Sequence, residues 1–386
     1  MKTTNSQGRV ICDSVVENGN KIWMTDLHKN GLMEVDKETH CANVLTFFEN
    51  EAFFAEELFN VVGIVDNKLI LTPRAASSIG IYDLLTRKMT YIPLKLDVLE
   101  KGWYYKENFK FMFSLSYGKY VYLTGYGYPA IIKLNVDTME ITYLTQWIQE
   151  IENNRTLLDK GYLGKGIVLG NIAYIPLQCT NMVIELNMET SEIVAKYINA
   201  PVKGFFWMAY DGEKFLLSQR GKNSEIVICW NHETDEISEW KIFDNIDREE
   251  ALFQIMVFES EIYFVPYCST FQHVYIYDRV LKGTKLCNEL EYLFCDENAK
   301  KIGIRLVNAY ESGMRFSTYG DNVWHEFDCE THVSFDYEVR VDFKEYLPEL
   351  KRVFNQECCT KILTEEKLPL KDYILCIASD AGNRKG

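Results

Sequence analysis

The sequence lacks the signatures of several large protein classes. Its 386 residues contain no run of about 18 apolar residues, so we expect no membrane-spanning helix, and the first residues carry no apolar stretch of signal-peptide length. Positive charge is scarce, because 41 Lys and Arg face 56 Asp and Glu for a net charge of −15. Phosphate binding needs a basic face, so this balance argues against a nucleic-acid scaffold.

Paired cysteine motifs are also missing. The chain has 11 cysteines, an odd number, and no two of them form a CxxC pair. They are scattered through apolar, strand-like segments, which favours reduced and buried thiols. We therefore expect a cytoplasmic protein, because reducing compartments keep such thiols free.

Familiar catalytic signatures are absent. No GxSxG, HExxH or glycine-rich phosphate loop occurs, which removes the usual pointers to a serine hydrolase, a metalloprotease or a kinase. No motif calls for a cofactor, and we expect none. His325, Cys329 and His332 lie close together in sequence, but His332 and His40 occupy the same position after a repeated turn. The repeat explains these residues without a metal, and we expect no metal site.

A repeated turn dominates the sequence. An Asp or Asn followed three residues later by Thr closes an apolar run at six places: Asp36–Thr39, Asp83–Thr86, Asn135–Thr138, Asn187–Thr190, Asn231–Thr234 and Asp328–Thr331. A longer turn that begins at Asp278 fills the one double gap. Seven turns therefore recur about every 49 residues, and each Asp or Asn side chain is expected to accept a hydrogen bond from a backbone N–H further along the turn.

A second turn precedes each of these by about 17 residues. Asn18-Gly19, Asp66-Asn67 and Asp211-Gly212 are examples of residues that tolerate the positive φ of a tight hairpin. Alternating apolar strands flank both turns, so each period holds four strands. Four antiparallel strands repeated seven times predict an all-β fold, a seven-bladed β-propeller of four-stranded blades. We expect both sets of turns on one rim.

The repeated unit resembles bacterial seven-bladed β-propeller proteins in general. The double glycine of kelch blades and the Gly-His…Trp-Asp pair of WD repeats are missing, so no specific family is indicated. We assign residues 1–343 to the propeller and 344–386 to a tail of short helices, packed on the propeller or docking to another protein. The segment Val333 to Val341 is expected to be the last strand of blade seven. The N-terminal segment then starts blade one or exchanges places with that strand.

Irregular loops are expected on the opposite rim, where propellers usually bind ligands. Guanidinium, amide and phenol groups recur there after the second strand of each blade and in the crossovers. We predict a ligand-binding set of Arg74, Tyr126, Tyr128, Arg155, Gln178, Lys203, Gln219, Arg220, Tyr267 and Tyr319. Such groups suit a small polar or anionic molecule, a peptide or a protein partner. The alternative is that these loops are polar because they face water.

Two functions remain open. The first is a non-catalytic binding scaffold that uses this rim, from which Arg74 or Arg220 could be changed to Ala without loss of the fold. The second is an enzyme with its active site at the same rim, a lyase or a hydrolase acting on a saccharide or modified peptide, drawing on His28, His273, Tyr267 and Arg220.

The predicted inner strands argue against one class of enzyme. Asp13 is their only clear acid, which disfavours a two-carboxylate glycosidase. Their other polar residues are Asn60, Lys110, Lys165, Gln254, Arg305 and Asn308.

Overall fold

The computed structural model of the protein describes residues 7–8, 12–26, 31–49, 51, 57–95, 103–220, 225–242, 252–267, 273–294, 304–310, 312–318, 323–342 and 345. The predicted helical tail, apart from Glu345, lies outside the described residues.

Seven antiparallel sheets follow one another along the chain as blades 1 to 7. The strands of blades 1 to 3 are Val15–Asn18, Lys21–Thr25, Leu32–Asp36 and Cys41–Thr46; Phe59–Val65, Lys68–Pro73, Ser78–Asp83 and Lys88–Pro93; and Phe111–Tyr117, Tyr120–Gly125, Ile131–Asn135 and Ile141–Leu144. Those of blades 4 and 5 are Ile167–Leu169, Ile172–Pro176, Met182–Asn187 and Ile193–Tyr197; and Phe205–Tyr210, Phe215–Gln219, Ile226–Trp230 and Ile237–Lys241. Those of blades 6 and 7 are Phe253–Val257, Glu261–Pro266, Tyr275–Asp278 and Gly283–Leu286; and Ile304–Tyr310, Gly313–Thr318, Val323–Asp328 and Val333–Glu338. The seven-bladed propeller is confirmed.

Short helices occupy the crossovers between blades. One α-helix spans Ile148–Asn154, and 3-10 helices span Glu107–Phe109 and Asn288–Phe294. All three lie at the end of the ring opposite the tight turns.

The repeated Asp or Asn turns form as the sequence predicts. In every blade the side-chain oxygen accepts hydrogen bonds from the backbone N–H groups two and three residues on, at 2.7–3.3 Å. The turn at Asp278 does so as well, although it has no Thr. The residue four positions after each Asp or Asn takes a positive φ of 54–65°, and none of the seven is glycine. Because L-residues rarely adopt this conformation, the side-chain bonds hold the bend closed.

The core is divided among the seams between blades. Seven clusters of buried apolar side chains are present in the described residues, one for each pair of neighbouring blades. Successive residues of a second strand point to opposite seams: Ile22 and Met24 pack toward blade 7, whereas Trp23 packs toward blade 2. This alternation follows from the two-residue period of a β-strand.

The ring closes on the outside of blade 1. All four strands of blade 7 come from one continuous segment of the chain, as expected. Its last strand, however, ends at Glu338 and not at Val341. Arg340–Asp342 then pairs in parallel with Cys41–Thr46, and Gln7–Gly8 pairs with Arg340–Asp342. Blade 1 is therefore a six-stranded sheet. The N-terminal and C-terminal ends of the propeller sequence each add one strand to it. No helix among the described residues is long and apolar enough to cross a membrane.

Candidate functional site

The two ends of the propeller differ in construction. Pairing of Lys21 with Asp36 places the first and third turns of a blade at the same end, which we call the turn rim. The loops after each second strand and the crossovers lie at the other end, which we call the loop rim. Both expected turn sets therefore share one rim, and all predicted ligand-binding residues belong to the other.

Arg74 on the loop rim is held by an internal ion-pair cluster. Its guanidinium contacts the carboxylate of Asp13 and lies 3.0 Å from that of Glu57. It also lies 4.3 Å from the centre of the Phe109 ring. The side chains of Arg74 and Asp13 are only 4 % and 5 % exposed. Arg74 thus fastens blade 1 and the crossovers on either side of blade 2.

The Asp13 carboxyl in this cluster titrates unusually. Burial raises the pKa of Asp13 well above its ordinary value, and the nearby charge of Glu57 raises that pKa further. Two carboxylates thus face one guanidinium in a buried setting. Removing the guanidinium would leave Asp13 without its compensating charge.

Arg155 makes a second internal cluster. Its guanidinium lies 3.1 Å from a carboxylate oxygen of Glu152 and donates to the carbonyls of Leu158 and Lys160 at 3.0 and 2.6 Å. The Tyr104 and Tyr162 rings lie 4.7 and 5.2 Å from it. With 3 % of its side chain exposed, Arg155 supports the crossover between blades 3 and 4.

Four further predicted residues are buried under the loop rim. Gln178 donates to the carbonyl of Leu163 at 3.0 Å, and Gln219 donates to that of Ile226 at 2.9 Å. Tyr128 is fully buried and donates its hydroxyl to the carbonyl of Lys95, and Tyr126 is 8 % exposed. Their present contacts are internal, and their role in binding stays a prediction.

Three predicted residues lie at the surface of blades 5 and 6. The backbone N–H of Arg220 donates to the carbonyl of Gly204 at 2.8 Å, which brings the loop of Arg220 beside exposed Lys203. Arg220 lies 5.9 Å from the centre of the Phe206 ring, and the Tyr267 ring stacks on the same Phe206 ring at 5.4 Å and 27°. Both Arg220 and Tyr267 are part-exposed. We call Lys203, Arg220 and Tyr267 the rim patch. Tyr319 and His28 lie outside the described residues.

Two residues beside the rim patch were not predicted. A hydrogen bond from Lys160 lowers the pKa of Asp159, and Arg220 adds to this electrostatically. Burial raises the pKa of Tyr104, whereas the positive charge of Arg220 acts to lower it. The sequence offered only the aromatic run Trp103-Tyr104-Tyr105, in which Trp103 and Tyr104 pack against the core between blades 3 and 4.

Histidines outside the rim patch pair with acids. His273 on the loop rim lies 3.0 Å from both carboxylate oxygens of Glu291, through Nδ1. At the blade 6–7 seam, His332 lies 2.9 Å from Glu261, while His325 lies 2.8 Å from Asp336. The two histidines near Cys329 therefore face different carboxylates. Glu291 was not predicted, because it is distant from His273 in sequence.

Comparison with known proteins places the fold but no family. No family model matches the chain, and no curated protein matches it. Among solved structures, the streptogramin B lyase is 16 % identical, with a TM-score of 0.54 over 81 % of this chain and 93 % of that one. The RRP9 WD40 repeats are 9 % identical, with a TM-score of 0.54 over 81 % and 88 %.

An extracellular domain shows the same likeness. The extracellular domain of a one-component system from B. thetaiotaomicron is 11 % identical, with a TM-score of 0.54 over 80 % of this chain. The present chain spans only 37 % of that one. These likenesses are to propellers of unrelated kinds, and they establish the architecture alone.

Proposed function

We propose that the chain is a non-catalytic propeller scaffold that binds an anionic ligand or partner segment through the rim patch. One observation carries the proposal: the backbone bond from Arg220 to Gly204 joins the two surface loops that carry Lys203 and Arg220. A protein with a net charge of −15 repels anions over most of its surface, so two cations on joined loops near the part-exposed Tyr267 favour an anion locally. Tyr267 adds a planar phenol for stacking or hydrogen bonding.

The comparisons are compatible with this proposal. The structural neighbours include WD40 repeats as well as a lyase, so the architecture does not by itself favour an enzyme. The six described cysteines that are resolved as free thiols, including buried Cys179 and Cys229, support the proposed cytoplasmic location.

A panel of small carboxylates, phosphates and acidic peptides tests the proposal by thermal shift on the full chain. Compounds that raise Tm are then titrated calorimetrically against wild type, the double variant Lys203→Ala/Arg220→Ala and the turn-rim control Lys119→Ala. We expect the double variant to lose about 1.5–3 kcal/mol per charged hydrogen bond, while the control binds as wild type does. Equal binding by all three proteins, or no stabilising compound in the panel, would contradict the proposal.

A second candidate is an enzyme at the same rim, a lyase or hydrolase acting on a saccharide or modified peptide. Its support is the pairing of His273 with Glu291, because a carboxylate that holds an imidazole is the arrangement of a general base. A lyase also shares the fold. The test is turnover of a panel of glycosides and cyclic ester-linked peptides, with His273→Ala as the variant. Turnover lost in that variant favours the enzyme; turnover unaffected by it, or none at all, counts against it.

A further inference from the structure

Two glycines confine the backbone on either side of Lys165, at the inner end of blade 4. A Cβ at Gly164 would lie 2.3 Å from the carbonyl oxygen of Phe206, and one at Gly166 would lie 2.5 Å from that of Tyr174. Only glycine fits at such distances, so the segment is pressed between neighbouring strands. Between them, Lys165 donates its backbone N–H to Phe206 at 3.1 Å and accepts from Met208 at 3.0 Å. Its backbone is therefore held against blade 5.

The Lys165 ammonium lies between aromatic rings. Its Nζ is 5.8 Å from the centre of the Phe113 ring and 6.0 Å from that of Trp207. These rings come from the first strands of blades 3 and 5 and meet edge to face at 5.7 Å. Two blades that are not neighbours thus converge on this lysine, as expected inside the ring.

No counter-ion accompanies this ammonium within the described part of the chain, since no carboxylate there lies within 4 Å of it. The other strongly buried cations that the structure describes on the loop rim have partners: Arg74 has two carboxylates, Arg155 has one, and Lys110 donates to three carbonyls. Burial also lowers the pKa of Lys165. Lys165 is nevertheless part-exposed, so small solutes can reach it.

We propose that Lys165 binds a small carboxylate-type anion inside the propeller ring. An anion supplies the missing charge, whereas a cation would be repelled. The small size follows from the aromatic walls, because Phe113 and Trp207 already contact each other. This site is separate from the rim patch, and its test does not depend on that proposal.

Trace labelling of the full chain measures the Lys165 amine directly. Acetic anhydride acylates only unprotonated amines, so the extent of labelling of each lysine against pH, read by peptide mass spectrometry, gives its apparent pKa. The experiment is run in sodium formate, acetate, benzoate or sulfate against chloride at equal ionic strength. We expect formate or acetate to reduce labelling of Lys165 at least five-fold and to raise its apparent pKa, while exposed Lys119 is unchanged.

Variants separate binding from general salt effects. Acetate should raise the Tm of wild type and of Lys165→Arg above the chloride value but not that of Lys165→Met. If Lys165→Met does not fold, the labelling of the wild-type chain still decides. Labelling of Lys165 that no anion changes, or an equal acetate response in Lys165→Met, would overturn the proposal. Protection by sulfate as strong as that by acetate, each relative to chloride, would overturn the carboxylate preference.

Discussion

The turn rim and the loop rim are stabilised in different ways. On the turn rim each part-exposed Asp or Asn bonds the backbone within its own turn, and the same contact occurs seven times. On the loop rim, Arg74 pairs with the sequence-distant Asp13, and Arg155 contacts the sequence-distant Tyr104 ring besides bonding its own crossover; both guanidiniums are almost fully buried. Local contacts repeat because the same short sequence recurs in every blade. Long-range contacts are individual, so each loop is stabilised by its own set.

This difference explains what the sequence could predict. The seven blades, the strand order and the side-chain bonds of the turns depend on residues within about 20 positions of one another, so a periodic pattern reveals them. The pairing of Arg74 with Asp13 joins residues about 60 positions apart, and no repeat marks it. Equivalent positions after a second strand were expected to face one ligand. Tyr128 and Gln178 show that an equivalent position can instead turn inward, because each loop has a different length and packing.

The same reasoning applies to the ring closure. The sequence pattern extends the last strand to Val341, since Val339 and Val341 continue the apolar alternation. In the structure both are buried in the cluster between blades 7 and 1. After Glu338 the chain leaves blade 7 and pairs with blade 1. The apolar alternation of the sequence is the same whether the strand stays in blade 7 or moves to blade 1, so the sequence does not reveal the change.

The largest loss of stability that this comparison predicts is the one caused by Arg74→Ala. This change should destabilise the fold, because the loss of Arg74 leaves the buried Asp13 without its guanidinium partner. Removing one partner of a buried ion pair typically costs about 3–5 kcal/mol. We expect a decrease of that size in the free energy of unfolding, measured by urea titration near neutral pH.

The control for this test uses pH and a second substitution. The pKa of folded Asp13 is raised, so its folded form favours the protonated carboxyl, and stability is lost as pH rises through that pKa. The deficit of Arg74→Ala should therefore shrink toward acid pH, and Asp13→Asn in the same chain should recover part of it. A deficit below about 1 kcal/mol, or one that pH leaves unchanged, would show that Arg74 is not an essential tie.

A smaller effect is expected on the turn rim from Asn187→Ala. Asn187 accepts backbone bonds from Glu189 and Thr190, both at 3.0 Å, in an exposed turn. A lost exposed bond of this kind costs about 1 kcal/mol. The matched control is Asn187→Asp, which keeps the acceptor and which blades 1, 2, 6 and 7 carry naturally. We expect urea unfolding to show the control within about 0.5 kcal/mol of wild type. Equal losses in both variants would mean that the side-chain oxygen is not what stabilises the turn.

The smallest effect on stability is expected from Arg220→Ala. Arg220 is part-exposed, and its distance of 5.9 Å from the Phe206 ring places its cation–π contribution at about 0.5–1 kcal/mol. Its backbone bond to Gly204 does not depend on the side chain, so the loop should keep its place. We expect urea unfolding to show a loss below about 2 kcal/mol, with Arg220→Lys nearer to wild type because it keeps the charge. The comparison with Arg74→Ala then separates a surface cation from a buried one on the same rim. A loss above about 2 kcal/mol would make Arg220 another internal tie and would leave Lys203 as the cation of the rim patch.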